Sequence, residues 1–199
     1  MIPSSVTSIG GVAFFNCNKM TSISLPDGIT EIGKEAFWNC CKLESVKIPS
    51  SLTKINEKAF YGCSSLTDIT IPEGVTSVGA GVFYNCTALG SVTFPNSLES
   101  IGNSALYNTG IKEISLPDNL TDIGTGVFSG CSDLRSVKLP SGLKRINNSM
   151  FSGCGRLNSI VIPDGVTEIG EEAFSGCERL TEINLPAGVT TIEAGAFSS

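Results

Sequence analysis

Apolar and polar residues follow one another in a fixed order that repeats along the chain. Each unit begins with an apolar residue and an alternating segment, continues with a proline, a turn and a second β-branched segment, and then reaches a large aromatic residue. The opening residue recurs every 23 residues, with one step of 22 between Leu89 and Ile111. A fixed period of this length predicts a solenoid, in which each unit packs its apolar face against its neighbours. Units 1 to 8 open at Met20, Leu43, Leu66, Leu89, Ile111, Leu134, Leu157 and Leu180.

Unit 3, residues 66–88, shows how one unit is expected to fold. Its alternating apolar and polar segment predicts a half-buried strand, which ends at Pro72 because proline cannot donate a ladder hydrogen bond. Pro72 and Gly74 predict a turn, and residues 75–78 predict a second short strand. The next residues are expected to form one helical turn that places Phe83 in the core. The chain is therefore predicted to be a β-rich solenoid of parallel strands and short helical turns.

The large core residue is almost always phenylalanine, which predicts a stack of rings along the solenoid. Unit 4 departs from the pattern because it is one residue shorter, carries Leu106 in place of phenylalanine, and has Thr109-Gly110 where the cysteine region belongs. A local irregularity is expected there. The column reads Phe14, Phe37, Phe60, Phe83, Leu106, Phe128, Phe151, Phe174 and Phe197.

Charge and composition exclude several classes of partner. The formal net charge of −6 argues against nucleic acid, because phosphate binding needs a basic face. No apolar run approaches the length of a membrane span, and the first residues do not resemble a signal peptide. Neither end shows a polar capping unit, so residues 1–199 are expected to be a single solenoid of about 8.5 units excised from a longer protein. Uncapped ends predict end-to-end self-association.

Seven of the eight cysteines lie at one position of the unit, and Cys41 is the additional one. Parallel stacked thiols suit disulfide geometry poorly, and zinc is disfavoured because the chain has no histidine and no Cys-x-x-Cys. We expect buried free thiols that pack as small hydrophobes, with a disulfide or a metal site as the alternatives. Cys41 is expected to be more exposed and reactive. The column reads Cys17, Cys40, Cys63, Cys86, Cys131, Cys154 and Cys177.

Catalytic patterns are scarce in this chain. Without histidine, the usual base of a serine or cysteine nucleophile is missing. Adjacent carboxylates such as Glu171 and Glu172 are expected to lie on a solvated surface rather than in an active site. No phosphate-binding loop occurs, since the glycines recur at turns of the unit. We expect no catalytic residue, no metal and no cofactor.

The unit is nearly complete at residues 157–177, which read Leu-Asn-Ser-Ile-Val-Ile-Pro-Asp-Gly-Val-Thr-Glu-Ile-Gly-Glu-Glu-Ala-Phe-Ser-Gly-Cys. This sequence closely resembles the BspA-type leucine-rich repeat, and the resemblance extends over the whole chain. It implies a leucine-rich-repeat-like right-handed superhelix with a parallel sheet on its inner face. It also implies a family of surface proteins of host-associated bacteria and parasitic protists that take part in adhesion to host proteins and in co-aggregation. The resemblance assigns no catalytic or binding residue.

One column of residues stands out as a candidate binding surface. It follows the core aromatic directly and holds the single tryptophan and all three tyrosines of the chain, but only in the N-terminal half. Coils spaced about 4.8 Å apart would arrange five such rings as a stripe about 20 Å long. Aromatic residues are enriched in interface hot spots, and their faces also suit sugar rings; the alternative is that they merely cover the edge of the core. The stripe is Phe15, Trp38, Tyr61, Tyr84 and Tyr107, followed by serine in later units.

Two other surfaces carry weaker signals. The outward positions of the first strands are small, polar and nearly neutral, which fits either a hydrogen-bonding face or an ordinary sheet surface. Unit 6 holds a basic cluster and unit 7 an acidic one, so the two are expected to pair across units, with an anionic-ligand patch as the alternative. The basic residues are Arg135, Lys138, Lys144, Arg145 and Arg156, and the acidic ones are Asp164, Glu168, Glu171, Glu172 and Glu178.

These observations favour a non-catalytic binding module of a cell-surface adhesin, with a host or cell-surface protein or a glycan as its partner. Its expected location is extracellular, with the export signal outside this segment. An architectural spacer without a ligand is the first alternative. A polysaccharide-active β-helix enzyme is the second, although such sites usually need long loops that interrupt the repeat, and none is present.

Overall fold

A computed structural model describes residues 2–198, which form a solenoid of parallel strands joined by turns. Each unit contributes a three-residue first strand or its equivalent, and a two-residue second strand. No helix forms between residues 2 and 198. The strands are β1 (Ser22–Ser24), β2 (Glu31–Ile32), β3 (Ser45–Lys47), β4 (Lys54–Ile55), β5 (Asp68–Thr70), β6 (Ser77–Val78), β7 (Ser91–Thr93), β8 (Ser100–Ile101), β9 (Glu113–Ser115), β10 (Asp122–Ile123), β11 (Ser136–Lys138), β12 (Arg145–Ile146), β13 (Glu168–Ile169) and β14 (Thr191–Ile192).

The second strands form the most continuous sheets of the solenoid. Strands β2, β4, β6, β8 and β10 pair in parallel as one five-stranded sheet, and β12, β13 and β14 form another. The register places equivalent residues of successive units side by side, as with Ile32, Ile55 and Val78. These side chains are buried, whereas the residue before each of them faces solvent or is half-buried. The expected alternation of buried and polar positions is therefore present in this strand.

The first strands pair only two by two. Parallel ladders join β1 to β3, β5 to β7 and β9 to β11, but no ladder joins these pairs to one another. Residues 159–161 and 182–184, predicted to be the first strands of units 7 and 8, do not form strands. Hydrogen bonds along the second strands and the turns hold the units together on the other sides. The units are therefore joined less continuously along this face than along the second strands.

The predicted helical turn before the core aromatic is wrong, because the segment is built from consecutive turns. In unit 2, Lys58 and Gly62 flank Phe60 at two residues' distance and have φ of 55° and 70°. Residues in this left-handed region cannot continue a right-handed helix. Alternate N–H groups consequently bond within the unit and to the next one: Tyr61 N donates to Lys58 O at 3.1 Å, while Phe60 N donates to Val82 O at 2.9 Å.

A continuous core runs through the solenoid from Ile9 to Ala196. The predicted stack of core rings is present: Phe37 and Phe60 lie 5.1 Å apart at 2°, and Phe128 and Phe151 lie 5.5 Å apart at 2°. Leu106 interrupts the stack and is fully buried. Each unit thus packs a large apolar side chain against its two neighbours.

The irregular unit 4 loses its residue in the connection between Thr109 and Ile111. Thr109 takes the place of the column cysteine and is 4% exposed. Its hydroxyl donates to Leu106 O at 3.0 Å and lies 3.2 Å from Cys131 Sγ. Because the shortening falls outside the second strands, β8 and β10 remain paired in register.

The column cysteines are hydrogen-bond donors as well as core residues. Cys63 Sγ donates to Phe37 O at 3.1 Å, and Cys86 Sγ donates to Phe60 O at 3.1 Å, so each thiol links its unit to the preceding one. All cysteines are free thiols. Of the seven predicted to be buried, Cys17 and Cys177 are only half-buried. They lie in the outer units, where fewer neighbours cover them.

Thiol labelling of the native protein is expected to follow this pattern. Cys17 and the half-buried Cys41 should react first at neutral pH. Burial raises the pKa of Cys177 to about 11, so its thiolate is scarce and it should react more slowly. Burial also raises the pKa of Cys86, which should react only after unfolding. Mass spectrometry of peptides from a labelling time course provides the measurement. Rapid modification of Cys86 without denaturant would contradict the buried column.

Candidate binding surface

The five aromatic residues of the predicted stripe form one continuous stack. Trp38 and Tyr61 lie 4.0 Å apart between ring centroids at 12°, Tyr61 and Tyr84 lie 4.8 Å apart at 4°, and Tyr84 and Tyr107 lie 4.3 Å apart at 9°. Phe15 joins Trp38 less closely, at 6.2 Å and 24°. We call this set of five residues the aromatic stripe.

Backbone hydrogen bonds fix the spacing of the aromatic stripe. Each ring follows a core residue inside the segment of consecutive turns, and the residue after each ring donates its N–H to the next unit. Asn39 N donates to Tyr61 O at 2.7 Å, and Asn85 N donates to Tyr107 O at 2.9 Å. The rings therefore project from a rigid frame rather than from a free loop.

The rings present their edges to solvent more than their faces. Phe15 is 44% exposed, and the other four rings are half-buried. Stacking covers both faces of Trp38, Tyr61 and Tyr84 with neighbouring rings. The expectation that ring faces along the stripe suit sugars therefore does not apply to these three interior rings. What they offer is a row of ring edges and tyrosine hydroxyl groups.

Charged and polar groups border the aromatic stripe. Lys58 Nζ lies 5.3 Å from the centroid of the Trp38 ring, which places a cation beside the N-terminal part of the stripe. Asn108 Nδ2 donates to Asn85 Oδ1 at 2.9 Å, so the asparagines after the rings pair across units. Burial, together with the neighbouring tyrosines, raises the pKa of Tyr84, which keeps its hydroxyl neutral at physiological pH.

Grooves lie along the face of the first strands. One of them has a volume of about 850 Å³ and spans units 5 to 7, between Glu113 and Asp164. Val161 projects into it and is 83% exposed, although the equivalent positions in other units are polar. That single apolar residue in a polar column was the sequence signal for the groove.

Some charged side chains of units 6 to 8 form ion pairs within these units, and others pair with unit 5. Arg145 forms ion pairs of 2.8 Å with Glu168 and with Glu193, and thereby links three successive units. This confirms the predicted pairing for Arg145 and Glu168. Lys138 and Arg156 instead pair with the preceding unit, through Asp118 and Asp133. Pairing leaves less free positive charge for an anionic ligand than the sequence alone implied.

Residues 2–198 contain no group of three or more histidine, cysteine, aspartate or glutamate side chains arranged to hold a metal ion. Glu171 and Glu172 are exposed, as predicted. Within the same range, none of the secondary structure is a helix of the length and apolar character that would cross a membrane.

Comparison with known proteins relates the whole chain to one repeat family. The family model for the BspA type leucine-rich repeat region, with 6 copies, matches residues 1–109 and 99–199. A search of curated protein sequences gives no significant match.

Three solved structures share both fold and sequence with the chain. The leucine-rich repeat protein of T. pallidum is 32% identical with a TM-score of 0.76, and the match covers 82% of this chain and 79% of that protein. A leucine-rich repeat protein from Bacteroides ovatus is 32% identical with a TM-score of 0.74, covering 96% and 65%. A leucine-rich cell surface protein from Faecalibacterium prausnitzii is 30% identical with a TM-score of 0.69, covering 99% and 69%. The chain belongs to the BspA-type leucine-rich repeat family.

Proposed function

We propose that this chain is a non-catalytic binding module of a cell-surface protein, and that the aromatic stripe anchors its protein or glycan partner. The observation that carries the proposal is the unbroken stack from Phe15 to Tyr107. Rings held by neighbouring rings and by backbone hydrogen bonds lose little conformational freedom on binding, so their edges and hydroxyl groups form a preorganised surface. The similar protein from F. prausnitzii is a cell surface protein, which supports an extracellular location.

An architectural spacer is the second candidate, because the same stack also covers the edge of the core. The two functions differ in what they predict for a ligand. A spacer binds nothing along its length, whereas a binding module loses its partner when one patch is removed. A polysaccharide-active enzyme finds least support, since the chain contains no histidine and its repeat is not interrupted by a long loop.

Replacing both Trp38 and Tyr61 with serine tests the anchor. Serine already occupies this position in units 5 to 8, so the solenoid should still form, although loss of ring contacts should cost about 2 kcal/mol of stability. Binding to a partner found on arrays of matrix proteins and glycans should weaken by about 2 kcal/mol or more. Surface plasmon resonance and thermal unfolding give the two quantities.

Ser152→Ala and Ser175→Ala together provide the matched control, because they alter the same column outside the stripe. Their effect on binding should be negligible. If the Trp38→Ser/Tyr61→Ser variant binds the partner as tightly as the parent chain, the stripe is only a cover for the core. If the parent chain binds nothing on the arrays, the spacer is favoured.

A further inference from the structure

The aromatic stripe stops in the middle of the solenoid, and its last ring is left with one free face. Tyr107 stacks on Tyr84 at 4.3 Å, but the equivalent residue of the next unit is Ser129. This end is unlike the interior of the stripe, where neighbouring rings cover both faces. Tyr107 therefore combines a rigidly held ring with a face that no further ring of the stripe covers.

The backbone hydrogen bonds between units continue beyond Tyr107, although no ring follows it in the stripe. Asn108 N donates to Ser129 O at 2.9 Å, and Gly130 N donates to Ser152 O at 2.7 Å, as in the units that carry rings. The place that a further ring would occupy lies between the Tyr107 ring and Ser129 of the next unit, and we call it the Tyr107 slot.

Polar groups lie beside this free face. Asn108 donates its amide N–H to Asn85, which leaves its amide oxygen without a donor among the described residues. Ser129 adds a hydroxyl group that is half-buried. A flat apolar wall with hydrogen-bonding groups at its rim matches a sugar ring, which has C–H groups on its face and hydroxyl groups around its edge. The partial negative charge of the aromatic face attracts those C–H groups.

We propose that the free face of Tyr107 binds a single pyranose ring, with Asn108 and Ser129 contacting its hydroxyl groups. The proposal rests on the proposed binding function and specifies a glycan residue at one end of the aromatic stripe. It assigns to Tyr107 a role that the interior rings cannot share, because their faces are occupied.

Ser129→Phe tests the proposal, because the added ring should cover the free face of Tyr107, while the residue that follows the new ring is Gly130, which lacks a side-chain amide equivalent to that of Asn108. The probes are methyl β-D-galactopyranoside and methyl β-D-glucopyranoside, followed by saturation-transfer difference NMR at millimolar concentration. The parent chain should transfer saturation to the ring C–H protons of at least one pyranoside. Ser129→Phe should reduce binding at least tenfold. Tyr107→Ser, which removes the wall and imitates the later units, should have the same effect.

Ser152→Phe is the matched control, because it adds the same ring one unit further and leaves the Tyr107 face open. It should bind the pyranoside at least as tightly as the parent chain, since the added ring faces the slot from the other side. Equal loss of binding in Ser129→Phe and Ser152→Phe would overturn the proposal, as would an absence of transfer from the parent chain. Binding of N-acetyl-tyrosinamide instead of a pyranoside, blocked by Ser129→Phe, would show that the slot takes a protein side chain.

The interior of the stripe is tested separately by the Trp38→Ser/Tyr61→Ser variant, which should retain pyranoside binding. If that variant no longer binds the array partner and the parent chain binds neither pyranoside, the proposed function is supported and pyranose binding at Tyr107 is contradicted. If the pyranosides bind at Tyr107 but no partner depends on Trp38 and Tyr61, pyranose binding is supported and the anchoring role of the aromatic stripe is contradicted.

Discussion

Gly102→Ala is expected to lower the free energy of unfolding by about 3 kcal/mol, because a side chain at this position collides with the backbone of the preceding unit. A Cβ atom at Gly102 would lie 2.3 Å from Ala80 N and 2.7 Å from Ala80 Cα. Both are backbone atoms held in hydrogen-bonded turns, so neither can move without disturbing the contact between units 3 and 4. Urea unfolding followed by circular dichroism measures the loss.

Gly10→Ala is the matched control for this prediction. Gly10 occupies the same position of the unit, but a Cβ atom there meets nothing within 4 Å in this chain. Its replacement should change stability by less than about 0.5 kcal/mol. Gly102→Asn adds the same Cβ atom and should also be destabilising, but less so than Gly102→Ala, because an amide here can offset part of the clash with a hydrogen bond to the preceding unit, as Asn56 does to Ile32 O at 2.8 Å. Equal effects of Gly102→Ala and Gly10→Ala would show that contact between units does not set the cost.

The sequence predicts the solenoid because every unit repeats the same buried and exposed positions. Residues 23 apart lie side by side in the second strands, so the period directly specifies the register, as with Ile55 and Val78. Burial of the cysteine and phenylalanine columns also follows, since a large apolar side chain at a constant position can avoid water only by facing its equivalents. Strand register and the burial of these columns depend only on side-chain type and on the repeat period, so both could be predicted from the sequence.

The turns before the core residue could not be predicted from the sequence in the same way. A left-handed backbone is usually signalled by glycine or asparagine, but this column also contains Lys58, Glu35 and Val12. Contacts between units impose the conformation on these residues, and the short segment otherwise reads as one helical turn. The thiol hydrogen bonds were missed for a related reason, since the partner carbonyl of Cys63 lies 26 residues earlier, at Phe37.

The candidate surface was predicted as a set of residues but not as a geometry. The column position was sufficient to bring Phe15 to Tyr107 together, because all five belong to the same place in the unit. Whether rings at one position lie face to face or edge to edge depends on side-chain rotation, which the sequence does not specify. The near-parallel stacking of Tyr61 on Tyr84, at 4°, is what separates the covered interior faces from the free face of Tyr107.

Phe83→Ala is expected to be the most destabilising single change in the chain, at about 4 kcal/mol. The Phe83 side chain is fully buried in unit 3 and stacks on Phe60 at 5.7 Å, and Leu106 fills the same position in the next unit. Removal of the ring leaves a cavity that the surrounding turns cannot fill, since their backbone bonds fix the spacing of the units. In a repeat protein the loss weakens two interfaces at once, because each unit is stabilised only by its neighbours.

Two variants separate the cavity from other effects of the Phe83 substitution. Phe83→Leu imitates unit 4 and should cost only about 1 kcal/mol, because most of the buried volume is kept. Phe197 occupies the same column but is 41% exposed and stacks on Phe174 alone, so Phe197→Ala should cost less than half as much as Phe83→Ala. Urea denaturation midpoints at a constant slope give the comparison. Similar losses for Phe83→Ala and Phe197→Ala would mean that the stacked core does not carry the cooperative stability of the solenoid, and that the bonds between turns and second strands do so instead.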